Sequence, residues 1–293
     1  MKNIQLIAPA AFVPNMGKDD LEYLSKQFKK LDCQVYYTDS LFEKKYFLAG
    51  DDNTRLNDLE QAFINPKNDF ILAIRGGGGS LRLLDKINYS KLKRHPKILI
   101  GFSDITVLQN ALWEKIKLPS YTGFVGWFGF QKMSPTLLKN LDLCLKNKSR
   151  KIPIRTINSG KAQGILLGGN LTAFCSLLGT PYFPKMKGNI LLLEEVKEPA
   201  YRLDRLINQL YLAGVFNNIS GLILGDMTAG LKDQEKKLAL QVIKNLLSRL
   251  KCPVVSLNGY SHDYKKIVLP IGGKAQIDTT KNILLLDKIE KLV

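Results

Sequence analysis

Long hydrophobic runs are missing from this chain of 293 residues. The strongest, Phe70–Ile74 and Ile190–Leu193, are far too short to cross a bilayer. The opening "MKNIQLIAPAAFVPN" has one lysine, an apolar stretch broken by Pro9 and no convincing cleavage site, so it reads as a first strand, Ile4–Ala8, and not as a signal peptide. Cysteine is scarce. Cys33, Cys144, Cys175 and Cys252 share no C-x-x-C spacing, which excludes a disulfide framework or a zinc site and fits free thiols in a reducing cytoplasm. Acidic residues are outnumbered 26 to 43 by Lys and Arg, giving a net charge of +17. The excess is spread through short groups such as "KQFKK", "KLKRHPK" and "KNKSRK", with no long block interleaved with aromatics. That pattern predicts a basic solvated surface, without a nucleic-acid partner. Histidine is the rarest useful residue: His95 and His262 are the only two.

What is present is a regular alternation of strand and helix. After the first strand, "DDLEYLSKQFKKLD" sets Leu21, Leu24, Phe28 and Leu31 on one helical face, and "CQVYY" follows as a strand. "DNTRLNDLEQAFIN" predicts a helix with Leu56, Leu59 and Phe63 facing inward. "DFILAIRGGGG" is a strand running into a glycine loop, and "SLRLLDKI" is expected to start the next helix. "KILIGFSD" is a strand followed by a helix over Ile105–Trp113, and Leu137–Leu145 is helical. Such alternation predicts a mostly parallel sheet flanked by helices, Rossmann-like or flavodoxin-like, with functional residues beyond the C-terminal strand ends. The basic "KNKSRKIPIRTINSGKA" is expected to be a connector, dividing the chain into 1–148 and 149–293. The second part has short strands in "QGILLGGN", "NILLLEE", "SGLILGD", "CPVVSL" and "NILLLD", and helices at Tyr201–Ala213 and Gln234–Leu250. It predicts a mixed α/β domain.

Ser103 sits where a buried strand bends into a helix, a position for a helix cap or a nucleophile. A nucleophilic serine needs a base, a group that orients the base, and donors for the oxyanion. His95 lies in a charged turn before a strand, whereas His262 follows a strand in the loop "SLNGYSHDYKK". Glu194 and Glu195 end an apolar strand, where alternation turns one inward and leaves the other to water. "RGGGGSLRLLD" has neither G-x-G-x-x-G nor a GK[ST] ending; it is a tight turn or a set of exposed N–H donors at a strand end. The order Ser, Glu, His also occurs in α/β-hydrolases, but "GFSDI" lacks the second glycine of their G-x-S-x-G elbow.

Together these segments resemble the LD-carboxypeptidases, serine peptidases that include the microcin-immunity hydrolases. "LIAPAAFVP", the arginine-bearing "FLAGDDNTRLNDLEQAF", "ILAIRGGGGSLRLLD", "IGFSDITVL", "LLGGNLTAFCSLLGTPY", "LLLEEVKEPAYRLDRLINQL" and "GYSHDYKKIVLPIGGKAQID" follow the family's order over nearly the whole chain. The resemblance implies Ser103 as nucleophile, His262 as base and Glu194, the first glutamate after L-x-L, as orienting acid, with Glu195 the fallback. It implies an oxyanion hole from the N–H of Asp104 and that of Gly77 or Gly78. It also implies a cation for a terminal carboxylate, with Arg75, Arg82 and Arg202 unranked. The implied reaction is release of terminal D-alanine from tetrapeptide stems of peptidoglycan fragments, without metal or cofactor, by a homodimer. The alternatives are hydrolysis of peptidyl or aminoacyl nucleotides, and a non-catalytic basic protein binding nucleic acid or cell-wall polymer. Three departures stand out: Gly78 replaces the usual tyrosine of R-G-G-Y-G, "LPSYTGF" stands where His-Gly-Pro is common, and Ser261 replaces the glycine of a G-H pair.

Overall fold

The computed structural model describes residues 1–127, 133–263 and 267–290. The first sheet takes β1 (Lys2–Ile7), β2 (Cys33–Tyr36), β3 (Phe70–Ala73), β4 (Ile98–Gly101) and β5 (Ser120–Thr122). The chain then builds β6 (Arg150–Pro153), β7 (Arg155–Asn158), β8 (Lys161–Asn170), β9 (Ile190–Glu194), β10 (Gly221–Leu224) and β11 (Val254–Ser256) of a second sheet. It returns β12 (Leu269–Ile271) to the first, and β13 (Lys274–Asp278) and β14 (Ile283–Leu286) join the second. The orders are β12-β5-β4-β3-β1-β2 and β6-β14-β13-β8-β9-β10-β11-β7. The first sheet is parallel apart from β12, which runs antiparallel to β5. In the second, β8 to β11 are parallel and their outer neighbours antiparallel. The expected α/β architecture, a mostly parallel sheet followed by a mixed one, is therefore present.

Period-two alternation explains how the first sheet is covered on both faces. Leu72 and Ile74 pack with Leu21, Leu24 and Phe28 of the helix Lys18–Lys29 and with Leu137 and Leu141 of Pro135–Leu145. Ile71 and Ala73 turn the other way, onto Leu59 and Phe63 of Asp52–Ile64 and Leu108 and Leu112 of Thr106–Ile116. Each fully buried Leu, Ile or Phe contributes about 1.5–3 kcal/mol. The sandwiched sheet is thus a rigid base for whatever stands at its strand ends. Three of the four thiols pack in the interior facing backbone carbonyls, Cys33 towards Leu31 O, Cys144 towards Val268 O and Cys175 towards Leu206 O. All four are free, and burial pushes Cys33 up to about 11 and Cys144 and Cys175 up to about 12. Among the described residues no helix is long and apolar enough to cross a membrane.

Two expectations about local structure need correction. "SLRLLDKI" forms only a 3-10 turn, Ser80–Leu83, and the next helix is Tyr89–Arg94, started by the Asn88 side chain accepting from Lys91 N. The N–H and hydroxyl of Ser80 are both turned to Asp104, which holds the segment in a tight turn. The basic connector is also not a connector, because it supplies β6 and β7, the two edges of the second sheet. Arg150 and Ile152 turn inward while Lys151 faces solvent, so alternation was present under the charge. Lysine and arginine on short edge strands discourage pairing with another chain. The division at 148/149 marks the first passage between sheets, but β12, Val268 and Ile289 come back to the first unit.

Candidate active site

The candidate site collects at C-terminal strand ends. β4 is a buried run that stops at Gly101, Phe102 is extended, and Ser103 takes φ 63°. A residue with a Cβ in the left-handed region costs about 1–3 kcal/mol and persists only where neighbours impose it. Here the neighbours are visible. Asp104 Oδ2 accepts from Ser80 N at 2.9 Å, and Ser80 Oγ lies 2.7 Å from that oxygen and 2.8 Å from the Asp104 carbonyl. Burial pushes the Asp104 carboxyl up, against the pull of these hydrogen bonds. Gly76 closes the contact: a Cβ there would stand 2.9 Å from Phe102 O and 3.0 Å from Asp104 N. The glycine loop and the serine turn are therefore packed backbone to backbone.

A buried arginine holds the far side of that loop. Arg55, 1% exposed, donates through Nη1 to Pro9 O at 2.8 Å and Gly79 O at 2.9 Å, and through Nη2 to Asp52 Oδ1 at 2.5 Å. An unpaired guanidinium in this position would cost several kcal/mol, so the three acceptors are what permit it. Arg55 lies four residues before Leu59 on the inward stripe; Leu56, expected to face inward, is half-buried and packs against the same core. Asp52 also accepts from Arg82 Nε and Nη2, at 2.9 and 3.0 Å, and from Lys86 Nζ at 2.8 Å. Hydrogen bonds from Arg82 and Lys86, with Arg55 adding its charge, hold the Asp52 carboxyl well below the usual carboxylate range. A carboxyl lowered on folding stabilises the protein above its unfolded pKa of about 3.9 and loses that contribution as pH falls. The thermal unfolding midpoint of the wild type is accordingly expected to fall progressively below about pH 4, and that of Asp52→Asn to fall less over that range. Parallel midpoint curves would remove Asp52 from the acid response.

The acid and the histidine meet on the second sheet. Glu194, the last residue of β9, has no exposed surface, and its Oε2 lies 2.8 Å from His262 Nδ1. Burial pushes the Glu194 carboxyl up; the His262 hydrogen bond opposes this and the charge of Glu195 adds to it. The imidazole packs on Phe102, ring centroids 4.6 Å apart, which brings His262 against the residue before Ser103. Asn170, at the end of β8, joins these parts. Its Nδ2 donates to Glu194 Oε1 at 3.3 Å and Glu195 Oε1 at 2.8 Å, and its N–H donates to Thr106 Oγ1 on the helix after Ser103. Glu195 does not meet water as expected; it is 2% exposed. The chain leaves the strand after Glu194, and the Glu195 carboxylate accepts from Thr172 N, Thr172 Oγ1 and Val196 N. It caps the short helix Leu171–Cys175, whose first N–H groups need such an acceptor. His95 is exposed beyond Tyr89–Arg94, at the opposite end of β4 from Ser103.

A cleft of about 370 Å³ contains Ser103, Asp104, Gly77 and Asn170, with Phe47, Leu81 and Arg82 at its walls. Gly77 lines it and Gly78 does not. A Cβ on Gly78 would meet the Phe47 ring at 3.8 Å, and Phe47 itself lines the cleft. Of the three arginines, only Arg82 lines the cleft. Arg75 donates to Phe12 O at 2.5 Å and lies 5.7 Å from the Trp127 ring, with burial drawing its pKa down. Arg202 pairs with Glu198 at 2.9 Å. Among the described residues no group of three or more His, Cys, Asp or Glu is arranged to hold a metal. Tyr264–Lys266 of the histidine motif lie outside the described residues.

Comparison with known proteins agrees across both sheets. Residues 4–123 match the model of the LD-carboxypeptidase N-terminal domain, and 163–277 that of the C-terminal domain. A probable murein peptide carboxypeptidase of Bacillus subtilis is 30% identical over 97% of this chain and 91% of its own length. The crystal structure of a muramoyltetrapeptide carboxypeptidase from Oxalobacter formigenes superposes with a TM-score of 0.85 at 29% identity, covering 99% of both chains. A MccF-like protein from Bacillus anthracis shares the fold with a TM-score of 0.88 at 24% identity, over 98% of this chain and 97% of that one.

Proposed function

Because this chain belongs to the LD-carboxypeptidase family, we propose that it is a serine carboxypeptidase releasing the terminal D-alanine from peptidoglycan tetrapeptide stems. The observation that carries this reading is the 2.8 Å Glu194–His262 contact, with the imidazole packed on the strand end that presents Ser103. Ser103 Oγ attacks the scissile carbonyl and passes its proton to His262 Nε2. Glu194 accepts from Nδ1–H, fixing the tautomer and stabilising the imidazolium. The N–H groups of Asp104 and Gly77 receive the oxyanion. The D-alanine amine leaves with the proton from His262, and water hydrolyses the acyl-enzyme by the same route in reverse.

Selectivity for a free C-terminus needs a cation, and Arg82 is the cation at the cleft wall. Its Nε and Nη2 are held by Asp52, so the guanidinium is pre-oriented and Nη1 is the nitrogen assigned to the substrate carboxylate. Charge-assisted hydrogen bonds contribute about 1.5–3 kcal/mol. Arg82→Ala should therefore raise KM for a disaccharide-tetrapeptide about 10- to 100-fold, with D-alanine release as the assay. An analogue whose terminal carboxylate is amidated should be handled alike by both proteins. Turnover of an aminoacyl nucleotide in place of the tetrapeptide would move the protein to the microcin-immunity type of substrate. Turnover of neither would leave a binding protein.

A further inference from the structure

The contact between Glu194 and His262 joins two segments 68 residues apart, and one short loop is tied to both. It spans residues 225–230, directly after β10. Towards the acid, Asp226 O accepts from Glu195 N at 3.0 Å, and Ala229 O accepts from Lys197 N at 2.8 Å. Towards the histidine, Asp226 N donates to Tyr260 O at 2.9 Å, and Asp226 Oδ2 accepts from Ser261 Oγ at 3.2 Å. Gly230 N donates to Asp263 Oδ2 at 3.0 Å. Both chain neighbours of His262 are thereby anchored to the same loop.

Ser261 is used twice. While donating to Asp226, its Oγ accepts from Asp263 N at 3.1 Å, which closes a serine turn with His262 at its centre. The side chain is only 4% exposed, so its hydroxyl is committed to these partners. Asp226 is itself braced: its Oδ1 accepts from Thr228 N at 2.8 Å and Thr228 Oγ1 at 3.0 Å. A glycine before the histidine could make neither hydroxyl contact. We propose that Ser261 and Asp226 are a pair of positioning residues that hold the His262 imidazole on Glu194. The inference rests on His262 being the base of the proposed reaction.

Misplacing a reacting group by about 1 Å costs roughly 100-fold in rate. Ser261→Ala should lower kcat for D-alanine release about 10- to 100-fold with KM unchanged, and Ser261→Thr, which keeps the hydroxyl, should restore most of it. Asp226→Asn, which keeps the volume and tests the pair without touching the serine turn, should act in the same direction. The double variant should be no worse than the poorer single, because each single already breaks the Ser261–Asp226 contact. The second readout is the NMR signal of the His262 Nδ1 proton, deshielded by the Glu194 carboxylate in the wild type and lost or broadened in Ser261→Ala. Wild-type kcat and an unchanged signal in Ser261→Ala would overturn the pairing while leaving the proposed reaction intact. If the wild type releases no D-alanine, the proposed reaction fails, and the proton signal alone decides whether Ser261 holds the ring.

Discussion

Ser103→Ala is expected to abolish D-alanine release, by about 10⁶-fold in turnover, while the protein unfolds at the same urea concentration as the wild type. The size follows from the role: the neighbouring hydroxyls are committed elsewhere, Ser80 Oγ to Asp104, Thr172 Oγ1 to Glu195 and Ser176 Oγ to Ala173 O. Ser103→Gly should be equally inactive yet more stable. At φ 63° a Cβ is strained, and alanine keeps the strain that glycine removes. The gain should be about 1 kcal/mol relative to Ser103→Ala, read from urea unfolding. Such a result would show that the fold bears a standing cost for aiming the hydroxyl. Turnover retained by Ser103→Ala would remove the nucleophile assignment. Equal stability of the two variants would mean that the bend stores no strain.

The second large effect separates two adjacent carboxylates. Glu194→Gln should lose about 10⁴-fold in turnover, as when the acid beside a catalytic histidine is neutralised and the tautomer is no longer fixed. Its stability should change little, because neutralising a buried carboxyl whose pKa is already pushed up removes a desolvation cost along with the ionic contact. Glu195→Gln should show the opposite balance. Its carboxylate accepts from Asn170 Nδ2, Thr172 N, Thr172 Oγ1 and Val196 N, and a glutamine amide would set an NH₂ among those donors. The cost is about 1–3 kcal/mol of stability, with turnover reduced far less than in Glu194→Gln. A reversal of the two would transfer the orienting role to Glu195.

The parts of this molecule that follow from periodicity were readable in the sequence: the buried strands, the helices around Leu24, Leu59 and Leu108, and the strand ends where glycines and Ser103 collect. What escaped depends on partners distant along the chain. Arg55 occupies the inward stripe of its helix, a position that periodicity marks as buried, and Asp52 is close along the chain, but the other two acceptors that make it tolerable come from Pro9 and Gly79. Asn170 caps the helix Leu171–Cys175 by accepting from Ala173 N, yet nothing local in the sequence shows that its amide spans two glutamates. Glu195 was misplaced because strand alternation was extended one residue past the end of β9. The basic residues around Lys151 concealed two edge strands, since charge there serves the edge and not a linker. Among the arginines, Arg82 is separated from Arg75 and Arg202 by its place in the cleft wall, which no local pattern shows.

The return of β12 to the first sheet has a consequence for the order of assembly. β5 is made by residue 122, but its antiparallel neighbour is residues 269–271, so the edge beside it stays unpaired through the synthesis of almost 150 residues. Pairing over such a separation is slow and costly in loop entropy. The segment that finally covers this edge is the one that follows the histidine loop. Closing the serine's sheet and adding the histidine therefore draw on one late stretch of sequence, and a nascent chain released before residue 262 carries an open β-edge and lacks His262.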